Sequence, residues 1–300
     1  MAVRARLYGL PILAGVLLGL SPFAAALAAP AVALIGDDER VLVFAEAAAG
    51  EQTTVRREHG VDALDAVNAG VALSSPAPGI GVTALANLLQ VSDIALIVMD
   101  ATVGPTPVIR EHILIARQAR VPMLALLMTN VQRLYARAPE ESAALLDLEV
   151  QELRALLSTY ELDGDGVGVY YDAPVPQPAV GVGAFGIRES LRVLAKLLPR
   201  RVRSGEPAPV HEFWSAVYLL TDLETDGHAV SLGPRDSVVL WSEGTQSQAT
   251  LDSVSEYHPG DFREMKLALE TPVDAMQGSR ILLVRGERVV GLGAVTEINR

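Results

Sequence analysis

Two runs of six consecutive apolar residues constrain the fold of this chain more than any other feature. They are Ile94-Ala95-Leu96-Ile97-Val98-Met99 and Met123-Leu124-Ala125-Leu126-Leu127-Met128. A strand with one face in water alternates apolar and polar residues, so a run without a polar position reads as a strand covered on both faces. Between the two runs, residues 110–119 place Ile113, Leu114 and Ala116 on one side of a helix, and Val121-Pro122 leads into the second run. Two buried strands joined by a helix form a parallel crossover unit. Residues 31–35 read as a further strand of the same sheet.

Downstream, Pro139-Glu140-Glu141 reads as the opening of a longer helix. Proline suits a first helical turn, and acids suit its positive end. Leu146, Val150, Leu153 and Leu157 then recur at helical spacing and form one apolar stripe. Asp163-Gly164-Asp165-Gly166 ends that element, and residues 190–198 give another helix, closed by Pro199. The alternation predicts an α/β domain with a mainly parallel sheet.

The pattern changes after Pro199. Arg200, Arg201 and Arg203, with Gly205, Pro207 and Pro209, read as a linker over 200–210. Beyond it, residues 213–220, 237–242, 248–254 and 264–269 are short runs of strand character separated by turn residues. Residues 280–284 and 288–298, joined through Arg285-Gly286-Glu287, read as a terminal hairpin. The expectation for 211–300 is an all-β barrel or sandwich.

Composition removes several classes of function. The chain has 300 residues, a prior of about two domains, and a net charge of -12. An acidic surface of that size argues against holding nucleic acid by bulk charge. With no cysteine, there are no disulfides, thiolate metal sites, cysteine nucleophiles or lipidated N-terminal cysteine. His59, His112, His211, His228 and His258 include no pair three or four apart, so no helical metal pair is written.

The first 28 residues stand apart. Arg4 and Arg6 precede an uncharged apolar run over 7–20, and Ala26-Leu27-Ala28 supplies small residues before Ala29-Pro30. That is the grammar of a secretory signal peptide. Residues 7–29 are also long enough to remain as a membrane anchor. The expected location is therefore periplasmic or extracellular, or membrane-anchored if the segment is retained.

Two stretches carry a family resemblance. The first is Gly104-Pro105-Thr106-Pro107, then Arg110-Glu111-His112-Ile113-Leu114, Arg117-Gln118 and Val121-Pro122, followed by a helix with Glu149-Val150 and Glu152-Leu153. It resembles the G domain of bacterial and organellar elongation factor Tu. The second is residues 213–220, Pro259-Gly260-Asp261 and Arg288-Val289-Val290-Gly291-Leu292-Gly293. It looks like the last β-barrel of the same factor. Together they cover roughly two thirds of the chain in the family's order. The resemblance implies an α/β, P-loop-GTPase-like parallel-sheet domain over 29–199, followed by a small antiparallel β-barrel. It also implies that the family's middle barrel, which helps to grip aminoacyl-tRNA, is missing.

The residues that would perform GTP chemistry are replaced. A phosphate loop needs G-x-x-x-x-G-K-[ST], and that pattern does not occur. At the matching place after the first strand, Gly36 is followed by Val41 for the second Gly, Leu42 for the Lys and Val43 for the Thr. The Mg²⁺-shell Asp, the γ-phosphate Gly and the water-positioning His match Ser74, Ala77 and Pro78. Anchored on Gly60-Val61, the switch Thr matches Asp62. The guanine-reading Asn-Lys-x-Asp falls at Thr129, Asn130 and Gln132, and Gln132 lacks the carboxylate that guanine needs.

These replacements predict a pseudo-GTPase with no GTP, Mg²⁺, other metal or tRNA bound, acting as a scaffold for a protein partner. Surfaces bared by the missing barrel give a possible route to self-association. The alternative is a cytoplasmic or organellar translation-related factor that still binds GTP or tRNA.

Other features read more plainly. Asp163 to Gly166 is expected to be a turn rather than a calcium loop, which needs further alternating ligands. Asp37-Asp38-Glu39 is expected to be a solvated acidic turn, and His112 a packing or capping residue. Arg200, Arg201 and Arg203 read as solvated. Trp214 and Trp241 are assigned to the barrel core or rim.

Overall fold

The computed structural model describes residues 29–49, 54–66, 68–178, 181–197, 205–252 and 255–298. The N-terminal segment 1–28 and Arg200, Arg201 and Arg203 lie outside the described residues.

The first part holds β1 (Ala31–Gly36), α1 (Glu39–Ala48), β2 (Arg56–Glu58), β3 (Val61–Ala66), β4 (Val71–Pro76), α2 (Val82–Val91) and β5 (Ile94–Asp100). It continues with α3 (Pro107–Gln118), β6 (Met123–Thr129), α4 (Val131–Arg137), α5 (Ser142–Thr159), β7 (Gly168–Tyr171), β8 (Val182–Phe185) and α6 (Ile187–Leu194). The sheet order is β2-β3-β4-β1-β5-β6-β7-β8. From β4 to β8 every pair is parallel, while β2 and β3 add an antiparallel edge.

Every residue of β5 is buried, which is what its apolar run demands. The side chains divide by the two-residue period of a strand. Ile35, Ile97 and Met128 face the apolar layer formed with α2, α3 and α5. Leu34, Leu96 and Leu127 face the opposite layer, formed with α1 and α6. Each such side chain contributes about 1.5–3 kcal/mol by leaving water.

Helix α3 starts where Thr106 Oγ accepts from the Ile109 amide at 3.3 Å and Pro107 takes the first turn. Helix α5 begins at Ser142, after the Pro139-Glu140-Glu141 segment, and the short α4 precedes it. Its stripe Leu146, Val150, Leu153 and Leu157 is buried as the spacing predicts.

The second part is a closed antiparallel barrel of order β10-β11-β12-β9-β14-β13. Its strands are β9 (Ala208–Leu219), β10 (Ser237–Ser242), β11 (Thr245–Asp252), β12 (Phe262–Ala275), β13 (Arg280–Arg285) and β14 (Arg288–Ile298). Closure leaves no open sheet edge. β9 starts inside the segment read as linker, because Ala208, Pro209 and Val210 pair with Ala275, Asp274 and Val273. β12 is far longer than residues 264–269, and a register shift between Ala268 and Val273 bends it.

The barrel is docked on α2 and α3. Trp241, Leu282, Val284, Val289 and Leu292 belong to the same apolar cluster as Leu89 and Ile113. Buried Gln118 donates from Nε2 to the carbonyls of Ile281 (2.7 Å) and Gly293 (3.1 Å). Trp241 Nε1 donates to Asn87 Oδ1 at 2.7 Å, so this tryptophan belongs to the interdomain core. The Val289 amide donates to Glu111 Oε1 at 3.0 Å, and Arg280 Nη1 to the Arg117 carbonyl at 2.8 Å.

Candidate functional site

In an open parallel sheet, ligands sit beyond the carboxyl ends of the strands, where the chain departs to opposite sides. Here that place lies at the ends of β1, β4 and β5, since β1 is flanked by β4 on one side and β5 on the other.

The connection from β1 to α1 consists of Asp37 and Asp38 alone. A phosphate loop requires a longer stretch of non-helical backbone with free N–H groups converging on the anion. At this turn the amides of Gly36, Asp37, Arg40 and Val41 are engaged. The Gly36 amide donates to His112 Nδ1 at 2.9 Å, and the Asp37 amide to the Val98 carbonyl at 3.0 Å. The Arg40 and Val41 amides close the first helical turn on the carbonyls of Asp37 (3.1 Å) and Asp38 (3.0 Å). Gly36 is required by shape: its φ is +99°, and a Cβ there would lie 2.3 Å from the Val98 carbonyl oxygen.

Arg40 spans the strand ends. Its side chain is buried, Nη1 donates to the Gly36 carbonyl at 2.9 Å, and Nε donates to the Pro76 carbonyl at 3.2 Å. Nη1 also meets Asp38 Oδ1 at 2.8 Å. One guanidinium therefore ties the end of β1 to the end of β4. Its burial has a sequence signal, because Arg40 falls on the stripe of Val43, Phe44 and Ala47 that α1 turns inward.

A polar network continues along the sheet edge. Asp37 Oδ1 accepts from Thr106 Oγ1 at 2.6 Å, and Asp37 Oδ2 from the Asp100 amide at 3.3 Å. Burial pushes the Asp37 carboxyl above its usual range. Asp37 is therefore half-buried and bonded, in contrast to the solvated turn expected there; only Asp38 is exposed. Asp100 Oδ1 accepts from the amide and hydroxyl of Thr102, each at 2.7 Å, and Oδ2 accepts from Asn130 Nδ2 at 2.9 Å. Asn130 adopts φ +58°, and its amide donates to Asp172 Oδ2 at 2.7 Å. Burial raises the Asp172 carboxyl, and three backbone amides partly offset this. Beside the network, Glu149 lies against Gly104. Burial, then the charges of Asp100 and Glu152, push its carboxyl up to about 7.

His112 is nine-tenths buried. Desolvation, then the Arg40 charge, push its imidazole down to about 3, so it is neutral at physiological pH. Since Nδ1 accepts from the Gly36 amide, the ring proton sits on Nε2. The histidine lines a cleft of about 530 Å³ between α3 and the barrel loops. Its role as a packing residue thus includes a specific acceptor function.

The remaining sequence-predicted positions scatter. Val41 and Leu42 lie on the exposed side of α1, and Val43 faces the apolar layer beneath it. Ser74 lies in β4 and lines a separate cavity of about 800 Å³ with Thr83, Asn87 and Gln246. Ala77 follows β4, and its amide donates to the Gly60 carbonyl at 2.7 Å. Pro78 is next in the same connection. Asp62 pairs across the β2–β3 edge with Arg57 at 2.5 Å, which holds its carboxyl below the usual range. Thr129 is buried at the end of β6 and donates to the Met99 carbonyl at 3.3 Å. Gln132 is exposed on α4. Of this set, Gly36 and Asn130 join the polar network at the strand ends.

Sequence reasoning overlooks Arg40, Asp100, Glu149 and Asp172 as members of that network. Asp163 to Gly166 is a turn, closed by the Gly166 amide on Asp163 Oδ1 at 2.9 Å. Among the described residues, no group of three or more His, Asp or Glu side chains is placed to hold a metal ion. No known protein-family model matches the chain.

Proposed function

We propose that the chain is a non-catalytic relative of the elongation factor Tu family, a pseudo-GTPase that works as a binding or scaffold protein. The observation that carries this reading is the two-residue turn before α1, spanned by Arg40. Phosphoryl transfer from GTP depends on positioning and charge. At this turn the amides of Gly36, Asp37, Arg40 and Val41 are bonded within the protein, and Asp37 and Asp38 would repel an anion. The order of an α/β part and then a small barrel agrees with the resemblance, as does Gly104-Pro105-Thr106-Pro107 leading into α3. The proposed location is outside the cytoplasm, on the strength of the first 28 residues, so the partner is a protein met there.

The absent middle barrel would leave surface on both parts. Leu42 and Val103 on the sheet domain, and Leu223 and Phe262 on the barrel, are exposed apolar residues. They are the proposed positions for docking or self-association, which light scattering reads directly.

Calorimetric titration with GDP and GTP in Mg²⁺ tests the proposal. The expected result is no saturable heat from protein whose fold is verified by circular dichroism. Saturable binding would return the chain to nucleotide-dependent translation.

A further inference from the structure

The cavity of about 800 Å³ that Ser74 lines has the antiparallel edge of the sheet as its floor. There Arg56 of β2 lies opposite Ala63 of β3, Glu58 lies opposite Val61, and Ser74 of β4 lies opposite Ala63. Residues directly opposite share a face of a sheet, and so do residues two apart on one strand. Arg56, Glu58, Val61, Ala63 and Ser74 therefore rise from the same side. Arg57 and Asp62 pair on the other side, where Leu64, Ala66, Val71 and Leu73 are buried in the apolar layer of α1 and α6. The cavity wall is α2, through Thr83, Ala84, Asn87 and Leu88, and the barrel adds Gln246 from β11.

Two features set what this cavity can hold. One is a donor with a fixed orientation. Trp241 Nε1 donates to Asn87 Oδ1 at 2.7 Å, which sets the amide and leaves its Nδ2 hydrogens for another acceptor. Nδ2 and the hydroxyls of Ser74 and Thr83 have no protein partner among the described residues. The other feature is a pair of opposite charges on one face of β2. Glu58 has no ion pair or hydrogen bond among the described residues, and Arg56 has an exposed contact with Asp65 at 3.5 Å, which contributes little in water. Between them and α2, Val61, Ala63, Ala84 and Leu88 supply apolar surface. A simple anion would meet Glu58, and a simple cation would meet Arg56. A ligand that carries both charges suits both.

We propose that this cavity binds a free dipeptide with apolar side chains. Residues two apart on a strand are separated by about 7 Å. An extended dipeptide, at about 3.3–3.6 Å per residue, separates its ammonium and carboxylate by about the same distance. The ammonium faces Glu58 and the carboxylate faces Arg56. The peptide carbonyl accepts from Asn87 Nδ2, and the side chains lie on Val61, Ala63, Ala84 and Leu88. The volume falls in the range of small-ligand sites. A third residue would carry the carboxylate past Arg56, so the site selects length. It draws on both domains, because Trp241 orients Asn87 and Gln246 lines the cavity. It does not rest on the pseudo-GTPase reading.

The test is calorimetric titration of the full chain with the dipeptide alanyl-leucine, its N-acetyl form and its C-terminal amide. The tripeptide alanyl-leucyl-alanine is the length control. The variants are Glu58→Gln and Arg56→Gln, both at exposed positions, with the fold verified by circular dichroism. The expected result is saturable binding of alanyl-leucine by the wild type, weakened about tenfold by either cap. The acetyl cap should cost nothing further in Glu58→Gln, and the amide cap nothing further in Arg56→Gln. The tripeptide should bind more weakly than the dipeptide. Four results would overturn the proposal: no saturation with alanyl-leucine, equal binding of the capped forms, cap penalties that persist unchanged in the matching variants, or a tripeptide that binds as well as the dipeptide.

Discussion

The Gly36 amide donates to His112 Nδ1 at 2.9 Å, joining the end of the first strand to the middle of α3 across 76 positions of sequence. This bond fixes the tautomer of a buried imidazole and takes up the amide of the last residue of the strand.

The bond makes stability depend on pH with a definite sign. The His112 imidazole is pushed from its ordinary 6.5 down to about 3 by burial and then by Arg40. Below pH 6.5 the unfolded chain takes up a proton that the folded chain refuses. Its contribution to stability is therefore full above about pH 6.5 and falls progressively toward pH 3. Urea unfolding at pH 8 and pH 5 reads this directly. His112→Ala lowers stability at pH 8 by about 1–3 kcal/mol, because the Gly36 amide is left buried without an acceptor. The same variant flattens the His112 part of the acid slope.

Glu149 gives the opposite sign. Its carboxyl is raised from 4.5 to about 7 by burial, then by Asp100 and Glu152. The folded chain holds this proton more tightly than the unfolded chain, so the contribution is full below about pH 4.5 and is lost as pH rises through 7. Arg110 of α3, 3.9 Å from Glu152, is the cation on the neighbouring helix. Glu149→Gln should melt close to wild type at pH 4 and above it at pH 8. A variant that melts below wild type at both pH values would contradict this.

Gln118 is the polar pin of the docked barrel. Its replacement by Ala leaves the carbonyls of Ile281 and Gly293 without that donor, for an expected loss of about 1–3 kcal/mol. The two parts share one apolar cluster, so unfolding of the wild type is expected as a single calorimetric transition. Two separated transitions, with Trp241 fluorescence following only one of them, would contradict a docked interface.

The parallel core is legible in the sequence because the first six residues of β5 and of β6 are all apolar, a pattern with few alternatives. The stripe of α5 is legible for the same reason, since its four core residues recur at helical spacing. β2 and β3 are not legible. β2 is three exposed charged residues, and β3 carries Asp62 and Asp65 opposite the hydrogen-bonding β4, so its strand character comes from pairing. α1 is obscured by the loop motif expected over the same residues, although Arg40, Val43, Phe44 and Ala47 carry a helical period. The site is the least legible part. Asp37 meets Thr106 across 69 positions, and Asp100 meets Asn130 across 30, so only the sheet order brings them together.

The Arg40 guanidinium occupies the strand ends as a fixed part of the protein. Thermal unfolding of wild type and Arg40→Ala, each with and without millimolar Mg²⁺-GDP, tests it most directly. Removing a buried guanidinium frees the carbonyls of Gly36 and Pro76, with an expected loss of about 2–4 kcal/mol. A ligand that binds the folded state raises the melting temperature in proportion to its occupancy. The expected result is a large drop for Arg40→Ala and no rise with nucleotide for either protein. A nucleotide-dependent rise in the wild type, or an Arg40→Ala variant that melts with the wild type, would contradict it.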